Sequence, residues 1–463
     1  MSQLADMHMS EQETDLLVQL KDLCAVWRTT AHRRNWNTSI SVLLYTVSAL
    51  PNEILITIFE MGYPYGLHIK ASHVMRRWRE VATNMPILWT SISIRGPQSL
   101  DQAETYLKRS QNCSLDIQFD FSRATNWLSL RDKERCITCC IPYVERWRMV
   151  AIKTYGPSQI SIYDILYRFT CLSAPQLQSL KLKNIPSAIR STSYQSSPVK
   201  VFTGGADALK RLDFSGFSMA RCWPPLTAVT QLNFYQIEPV LLLSHFHDAL
   251  RAMPCLARLR IQGQATQFLS NSVPSITIPS LKSLHIDCVN ADYAAALFAT
   301  LCTPSISSLI LENMDKDTYA AFGRHLQHIP RYPMLQFIGF ICADCMADDL
   351  DLISLLPTVT HLALHHVSNF VEQLSATSSL PGGNLVMPHL RTVTFLEPCY
   401  GTSILASICK LISIRKSIDL PIDTLRLAPH WNPSDPSINW LRENVILEIE
   451  DCEITSALLP YVY

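Results

Sequence analysis

PCLARLRI, residues Pro254–Ile261, decides how most of this chain folds. A proline leads, then come apolar Leu256, two variable residues, apolar Leu259, one variable residue and apolar Ile261. Leu259 and Ile261 lie two apart, the period of a strand that buries one face. The phrase returns as Pro175 with Leu177, Leu180 and Leu182, and as Pro279 with Leu281, Leu284 and Ile286. It continues as Pro304 with Ile306, Leu309 and Leu311, and as Pro333 with Leu335, Ile338 and Phe340. Pro357 with Val359, Leu362 and Leu364, and Pro388 with Leu390, Val393 and Phe395, follow. Leu209/Leu212/Phe214 and Val229/Leu232/Phe234 lack the proline, and worn copies stand at Val144/Trp147/Met149 and Ile422/Leu425/Leu427. The recurrence explains why 27 prolines outnumber 13 glycines.

Successive copies step by 20 to 33 residues, averaging about 28, which is a repeat-protein period. One strand and its return segment cannot bury an apolar face alone, so neighbouring units must stack into a continuous core. Tyr293–Leu301, Tyr319–Leu326 and Leu350–Leu355 have helical spacing and are expected on the convex side. The phrase resembles the leucine-rich repeat family, and that resemblance implies a solenoid. The family usually has Asn or Cys three residues after the last strand leucine. Here those places hold Ile185, Val289 and Met314, with Asn184 and Asn313 one residue early, so a distorted solenoid is expected over 96–463. Asn184–Ala206, Gln373–Pro388 and Pro429–Ser437 read as surface loops.

A different pattern occupies Leu50–Trp89, LPNEILITIFEMGYPYGLHIKASHVMRRWREVATNMPILW. Pro51 suits a first helical position, and Glu53 suits the dipole of a first turn. Ile54, Leu55, Ile58 and Phe59 make one broad apolar face. Val74, Trp78, Val81 and Met85 make a second, ended by Pro86, and the basic run Arg76, Arg77, Arg79 sits between. Two helices this short cannot bury two apolar faces by themselves, so something else must cover part of them. The order Leu50-Pro51-x-Glu53-Ile54-Leu55-x-x-Ile58-Phe59, then Val74-x-x-Arg77-Trp78, then Leu88-Trp89, resembles the F-box, with Met75 where that family often has Cys. The resemblance implies a domain over 46–95 that docks a Skp-type adaptor and, through it, a cullin complex. It implies adaptor contacts from Leu50, Pro51, Glu53, Ile54, Leu55, Ile58, Phe59, Val74, Trp78 and Trp89. An F-box followed by degenerate leucine-rich repeats is similar to the F-box-like families of mushroom-forming fungi. Residues 1–45 are expected to hold an amphipathic helix and a linker. Ser10 and Glu13 have capping-box spacing, and Leu16, Leu20, Leu23 and Trp27 share a face expected to pack on the F-box.

The expected fold class is thus α/β, a helical F-box followed by a repeat solenoid. Lys plus Arg equals Asp plus Glu at 39 each, so there is no basic surplus for nucleic acid. The N-terminal residues lack the pattern of a secretion signal, and the longest apolar stretch, Tyr293–Cys302, is too short for a membrane span. A cytoplasmic or nuclear location with no membrane partner follows as the expectation, and the 15 cysteines read as reduced thiols.

No phosphate-binding glycine loop or nucleophile elbow is present, so neither enzymatic activity nor a cofactor is expected. Cys342-x2-Cys345 with His361-x3-His365 matches a zinc-finger expression. His361 and His365, however, fall four apart in a strand, about 13 Å, whereas zinc needs both nitrogens about 2 Å from one ion. No metal is expected there. Cys136, Cys139 and Cys140 read as structural thiols, and Asp344, Asp348, Asp349 and Asp351 as a solvated helix start.

In a solenoid, the residues between buried strand positions line the concave surface. These are Lys181, Arg211, Arg258 and Arg260 in the first half, and Ile310, Phe337, Gly339, Ala363 and Thr394 in the second. The basic half is expected to receive an acidic or phosphorylated stretch of an unidentified protein substrate, with Phe337 on the same surface. The expected function is substrate recognition for a cullin–RING ubiquitin ligase. The alternative is an interaction scaffold whose F-box-like helices only cap the repeats.

Overall fold

Every proline-led copy opens with a tight turn. The amide of Leu256 donates to the carbonyl of Met253 at 3.1 Å, and Leu177 to Ala174 at 3.0 Å. Leu281 to Ile278, Leu335 to Tyr332 and Leu390 to Met387 repeat the bond. The proline is the second residue of that turn, where its fixed φ is pre-set and its missing N–H costs nothing. Ala206–Leu209 and Leu226–Val229 make the same turn without proline, so the residue favours this geometry and does not create it.

The computed structural model describes residues 50–62, 66–122, 129–155, 165–185, 198–237, 240–268, 275–287, 290–314, 317–318, 320, 322–324, 332–341, 356–365, 371, 374, 386–396, 402–428 and 435–449. The fold is α/β. Its described residues form two compact units, one ending at Leu88 and one beginning at Trp89. The first holds helices α1 (Asn52–Met61), α2 (Leu67–Val74) and α3 (Arg76–Thr83).

The second is built on a sheet of 14 strands. These are β1 (Ser91–Ile94), β2 (Leu115–Asp120), β3 (Trp147–Tyr155), β4 (Ser179–Ile185), β5 (Arg211–Ser215), β6 (Gln231–Tyr235) and β7 (Arg258–Gln262). They continue as β8 (Ser283–Asp287), β9 (Ser308–Glu312), β10 (Phe337–Ile341), β11 (His361–His365), β12 (Thr392–Phe395), β13 (Thr424–Leu427) and β14 (Ile446–Ile449). Spatial order equals chain order, and every neighbouring pair is parallel. Helices α4 (Leu100–Arg109), α5 (Leu130–Thr138), α6 (Leu243–Arg251), α7 (Ala291–Thr300), α8 (Thr402–Ser417) and α9 (Pro436–Asn444) lie in the connections. No described helix is long and apolar enough to cross a membrane.

Register lines equivalent positions up from strand to strand. Leu259 sits beside Leu232 and Leu284, and Ile261 beside Phe234 and Ile286. All six are at most 2 % exposed. At about 1.5–3 kcal/mol for a fully buried large aliphatic side chain, this shared core is the main source of cohesion between strands. The early Asn313 has a local explanation. Gly216, Gln236, Gly263 and Asn313 follow their strands directly and all take positive φ, from 45° to 76°. That left-handed step turns each amide onto the last carbonyl of the next strand: Gly216 to Tyr235, Gln236 to Gln262, Gly263 to Asp287, Asn313 to Ile341, each 2.8–2.9 Å. Glycine and asparagine tolerate that conformation best. The turn is satisfied by backbone, in place of a regular asparagine ladder.

Four expectations are corrected in detail. The copy placed at Val144/Trp147/Met149 is three residues early, since Val150 and Ile152 stand in register with Leu180 and Leu182. The buried apolar residues of β3 are Trp147, Val150 and Ile152, and Arg148 is skipped in the pairing with Leu115 and Asp116. Strands β1, β2 and β14 extend the series beyond the expected copies. Val74 and Trp78 do not share a helix, since Met75 is extended at φ −153°, ψ 162° and splits α2 from α3. The boundary expected at residue 95 falls between Leu88 and Trp89, because Ser91–Ile94 already pairs with β2. The helix expected over Ser10–Trp27, the cysteines Cys342 and Cys345, the acidic cluster around Asp348 and the helix Leu350–Leu355 all lie outside the described residues.

Candidate functional site

The apolar residues of α1 divide between two faces. Pro51 sits at the N-cap with φ −55° and ψ 154°, and Glu53 stands in the first turn. Leu55 and Phe59 are fully buried. Phe59 meets the Trp78 ring edge-on at 5.6 Å between centroids, a favoured aromatic geometry. At about 100° per residue, Ile54, Ile58 and Met61 fall on a separate stripe, with Pro51 beside it. Ile54, Ile58 and the preceding Leu50 are half-buried, Pro51 and Glu53 exposed, and Met61 is 52 % exposed. Ile69 and Val74 on α2 are also exposed. Met61 and Ile69 are not among the residues expected on this surface, although Met61 stands seven residues after Ile54, a readable signal.

Arg77 positions this face. Its guanidinium donates to the Leu50 carbonyl at 2.5 Å and to the Asn52 side chain at 2.8 and 3.1 Å, tying α3 to the start of α1. Arg79 donates to the Ser72 carbonyl at 2.7 Å, and Arg76 pairs with Glu80. Gly62 closes α1 and Gly66 begins α2 at φ 70°, a conformation glycine adopts without penalty. Trp89 is a correction. It is 2 % exposed, packed edge-on against Tyr106 at 4.9 Å and under the Arg109 guanidinium at 4.4 Å. It serves the sheet unit's core and has no face to offer an adaptor.

The second candidate surface is the sheet face that alternates with the core. Across β4 to β7 it bears Lys181, Lys183, Arg211, Arg258 and Arg260 against one acid, Asp213. Arg211 Nε and Arg258 Nη2 each donate to Gln231 Oε1 at 3.0 Å. Asn233 donates to Asp213. Arg260 reaches Glu312 at 3.3 Å, and Glu312 also meets His285 at 2.7 Å. That hydrogen bond holds the Glu312 carboxyl below the usual range, while burial pushes Asp287 up and His285 down.

From β9 to β12 the same face is closed. Ile310, Phe337, Ile341, His361, Ala363 and Thr394 are each at most 3 % exposed. Phe337, expected as a substrate contact, is therefore corrected to a core residue. Its ring packs on His361 at 4.9 Å, and His361 Nε2 lies 2.8 Å from Thr394 Oγ1. Strands with long apolar runs on both faces are buried on both. Burial, with Arg426 nearby, pushes the His361 imidazole down to about 3. No group of metal-ligating side chains occurs among the described residues.

Cys136 and Cys140 are fully buried and Cys139 half-buried. Cys139 Sγ lies 3.7 Å from Cys140 Sγ and 3.1 Å from the Cys136 carbonyl. Hydrogen bonding from Cys140 lowers the Cys139 thiol, and burial raises Cys136 to about 11.

No family model matches the chain, and no curated protein does. Among solved structures it is similar to a crystal structure of a Bacteroides fragilis protein, a structural-genomics target. Identity is 12 %, over 74 % of this chain and 76 % of that one, with a TM-score of 0.31.

Proposed function

We propose that this chain is the substrate-recognition subunit of a cullin–RING ubiquitin ligase. Residues 50–88 act as an F-box that docks a Skp-type adaptor, and the sheet unit is a leucine-rich-repeat solenoid that holds the target. Ubiquitin transfer belongs to other subunits, and this chain contributes proximity. The observation that supports the reading most is the stripe of Pro51, Ile54, Ile58 and Met61, apolar side chains left open on a helix whose other face is already packed. Exposed apolar surface collected on one small element marks an interaction site. Covering the open half of each isoleucine is worth about 1 kcal/mol, so two charges there remove most of the contact.

The test is co-purification of the full chain with a Skp-type adaptor. The wild type captures it, and Ile54→Asp with Ile58→Asp abolishes capture while circular dichroism and melting stay near wild type. Failure of the wild type to bind, or unchanged capture by the double variant, refutes the proposal. Phe59→Ala is unsuitable for this purpose, since Phe59 is core and its loss unsettles the helices themselves.

A further inference from the structure

Arg131, Arg135 and Cys139 stand at steps of four along α5 and its C-cap, so they share one side of the helix. That side borders a cleft of about 460 Å³ walled also by Glu104 of α4, Glu134 and Arg168, a size suited to a small ligand. Arg168 is neutralised, since it pairs with Glu134 at 2.7 Å. Arg131 and Arg135 are exposed and form no ion pair among the described residues. Three arginines against two glutamates leave the lining positive. Cys139 is the thiol of this lining and is half-buried. Its one hydrogen is directed at the Cys136 carbonyl, 3.1 Å away. With that hydrogen committed, the 3.7 Å contact between the Cys139 and Cys140 sulfurs is a bond that Cys140 donates. A donor aimed at a sulfur favours the thiolate, and here it outweighs burial and the nearby Glu104. Cys140 itself is buried and is badly placed to close a disulfide. Neighbouring Cα atoms lie about 3.8 Å apart, short of the roughly 4.4–6.8 Å that a disulfide spans.

We infer that this cleft is a thiol-modification site for a small anionic disulfide of the glutathione type. Cys139 is the nucleophile, Arg131 and Arg135 hold the carboxylates, and Cys140 hydrogen-bonds the attacking sulfur. Cys139 gives its proton to water, and its thiolate attacks one sulfur of the disulfide. The S–S bond breaks, a bond between Cys139 and one glutathione forms, and the second glutathione leaves as a thiolate that takes up the proton. One disulfide is consumed and one is made, so no further oxidant is needed. Because Cys140 is too close along the chain to displace the adduct, the mixed disulfide persists until a free thiol reverses it. The site is independent of the receptor reading above and goes beyond it.

The experiment incubates the reduced full chain at neutral pH with glutathione disulfide, with the neutral bis(2-hydroxyethyl) disulfide or with the cationic cystamine. Peptide mass spectrometry follows each cysteine with time, and the exposed Cys171 and Cys255 serve as internal references. Glutathione disulfide modifies Cys139 faster than either reference, and cystamine shows no such preference. At Cys139 the rate ratio of anionic to neutral disulfide falls as salt is added. Arg131→Gln with Arg135→Gln, both exposed positions, lowers that ratio by about tenfold at low salt. The ratios at Cys171 and Cys255 and the melting temperature stay at wild-type values. Cys140→Ala slows the anionic and neutral disulfides alike, since it acts on the sulfur and not on the carboxylates. A Cys139 that reacts with glutathione disulfide no faster than the references overturns the inference. So does a ratio that the arginine variant leaves unmoved, or a product in which Cys139 is joined to Cys140.

Discussion

Replacing His361 by Gln removes one titrating group from the closed part of the sheet face and changes how stability responds to acid. The imidazole is 3 % exposed, packed at a tilt against Phe337 and bonded to Thr394. Burial first, and Arg426 second, hold it down to about 3, against about 6.5 in the unfolded chain. Between those values the unfolded state binds a proton that the folded state refuses. Stability therefore rises with pH across the window. It is complete above about pH 6.5 and is lost as pH falls toward 3. From pH 7.5 to pH 5.0 the linkage relation gives a loss of about 2 kcal/mol from this residue alone. The assay is urea unfolding followed by far-ultraviolet circular dichroism at both pH values, on wild type and His361→Gln. Other acids and histidines titrate equally in both chains, so the difference between the two pH responses isolates His361. Wild type should lose about 2 kcal/mol more than the variant. Equal losses in the two chains would refute the claim that the imidazole is buried neutral.

Phe59→Ala deletes a fully buried ring that packs on Trp78. It should cost the helical unit about 3–5 kcal/mol, seen as accelerated amide exchange over 52–83 with the sheet amides unchanged. Gly263→Ala places a Cβ on a residue at φ 76° that has room for it but not the conformation. A loss of about 1–2 kcal/mol is expected, read from the denaturation midpoint. Iodoacetamide at neutral pH should modify Cys139 well before Cys136 or Cys140, because hydrogen bonding lowers the first thiol, burial raises Cys136, and the hydrogen bond to Cys139 together with burial raises Cys140. Cys140→Ala should slow that reaction, as peptide mass spectrometry would show.

The strand positions were legible because their cause is local. Leu256, Leu259 and Ile261 alternate as a half-buried strand must, and Pro254 announces the turn that starts it, so seven proline-led copies needed only the sequence. Trp147, Val150 and Ile152 are misphased in the sequence because Val144, Trp147 and Met149 fit the same spacing, and only the register of Val150 and Ile152 beside Leu180 and Leu182 decides between the two. Strand β1 is not readable although Pro86 opens the same turn, Leu88 to Met85 at 3.2 Å, because Leu88 stands four residues and not three before the buried Ile92. The basic residues Lys181, Arg211, Arg258 and Arg260 were named correctly as part of one sheet face. The meeting of Arg211 and Arg258 at Gln231 was not readable, because it depends on lateral register between strands whose partners lie 20 and 27 residues apart.

Composition and periodicity by themselves determined that Ile54, Leu55, Ile58 and Phe59 are one apolar set, and that Phe337 alternates with core residues. Only tertiary packing decided which side of each set meets solvent. Trp78 packs on Phe59 and Arg77 ties α3 to the start of α1, Leu55 and Phe59 are buried while Ile54 and Ile58 stay half-open, and Phe337 and Trp89 are closed off in the sheet unit. Periodicity records which side chains avoid water. What they avoid it against is fixed by contacts between residues far apart along the chain, and no local pattern encodes those.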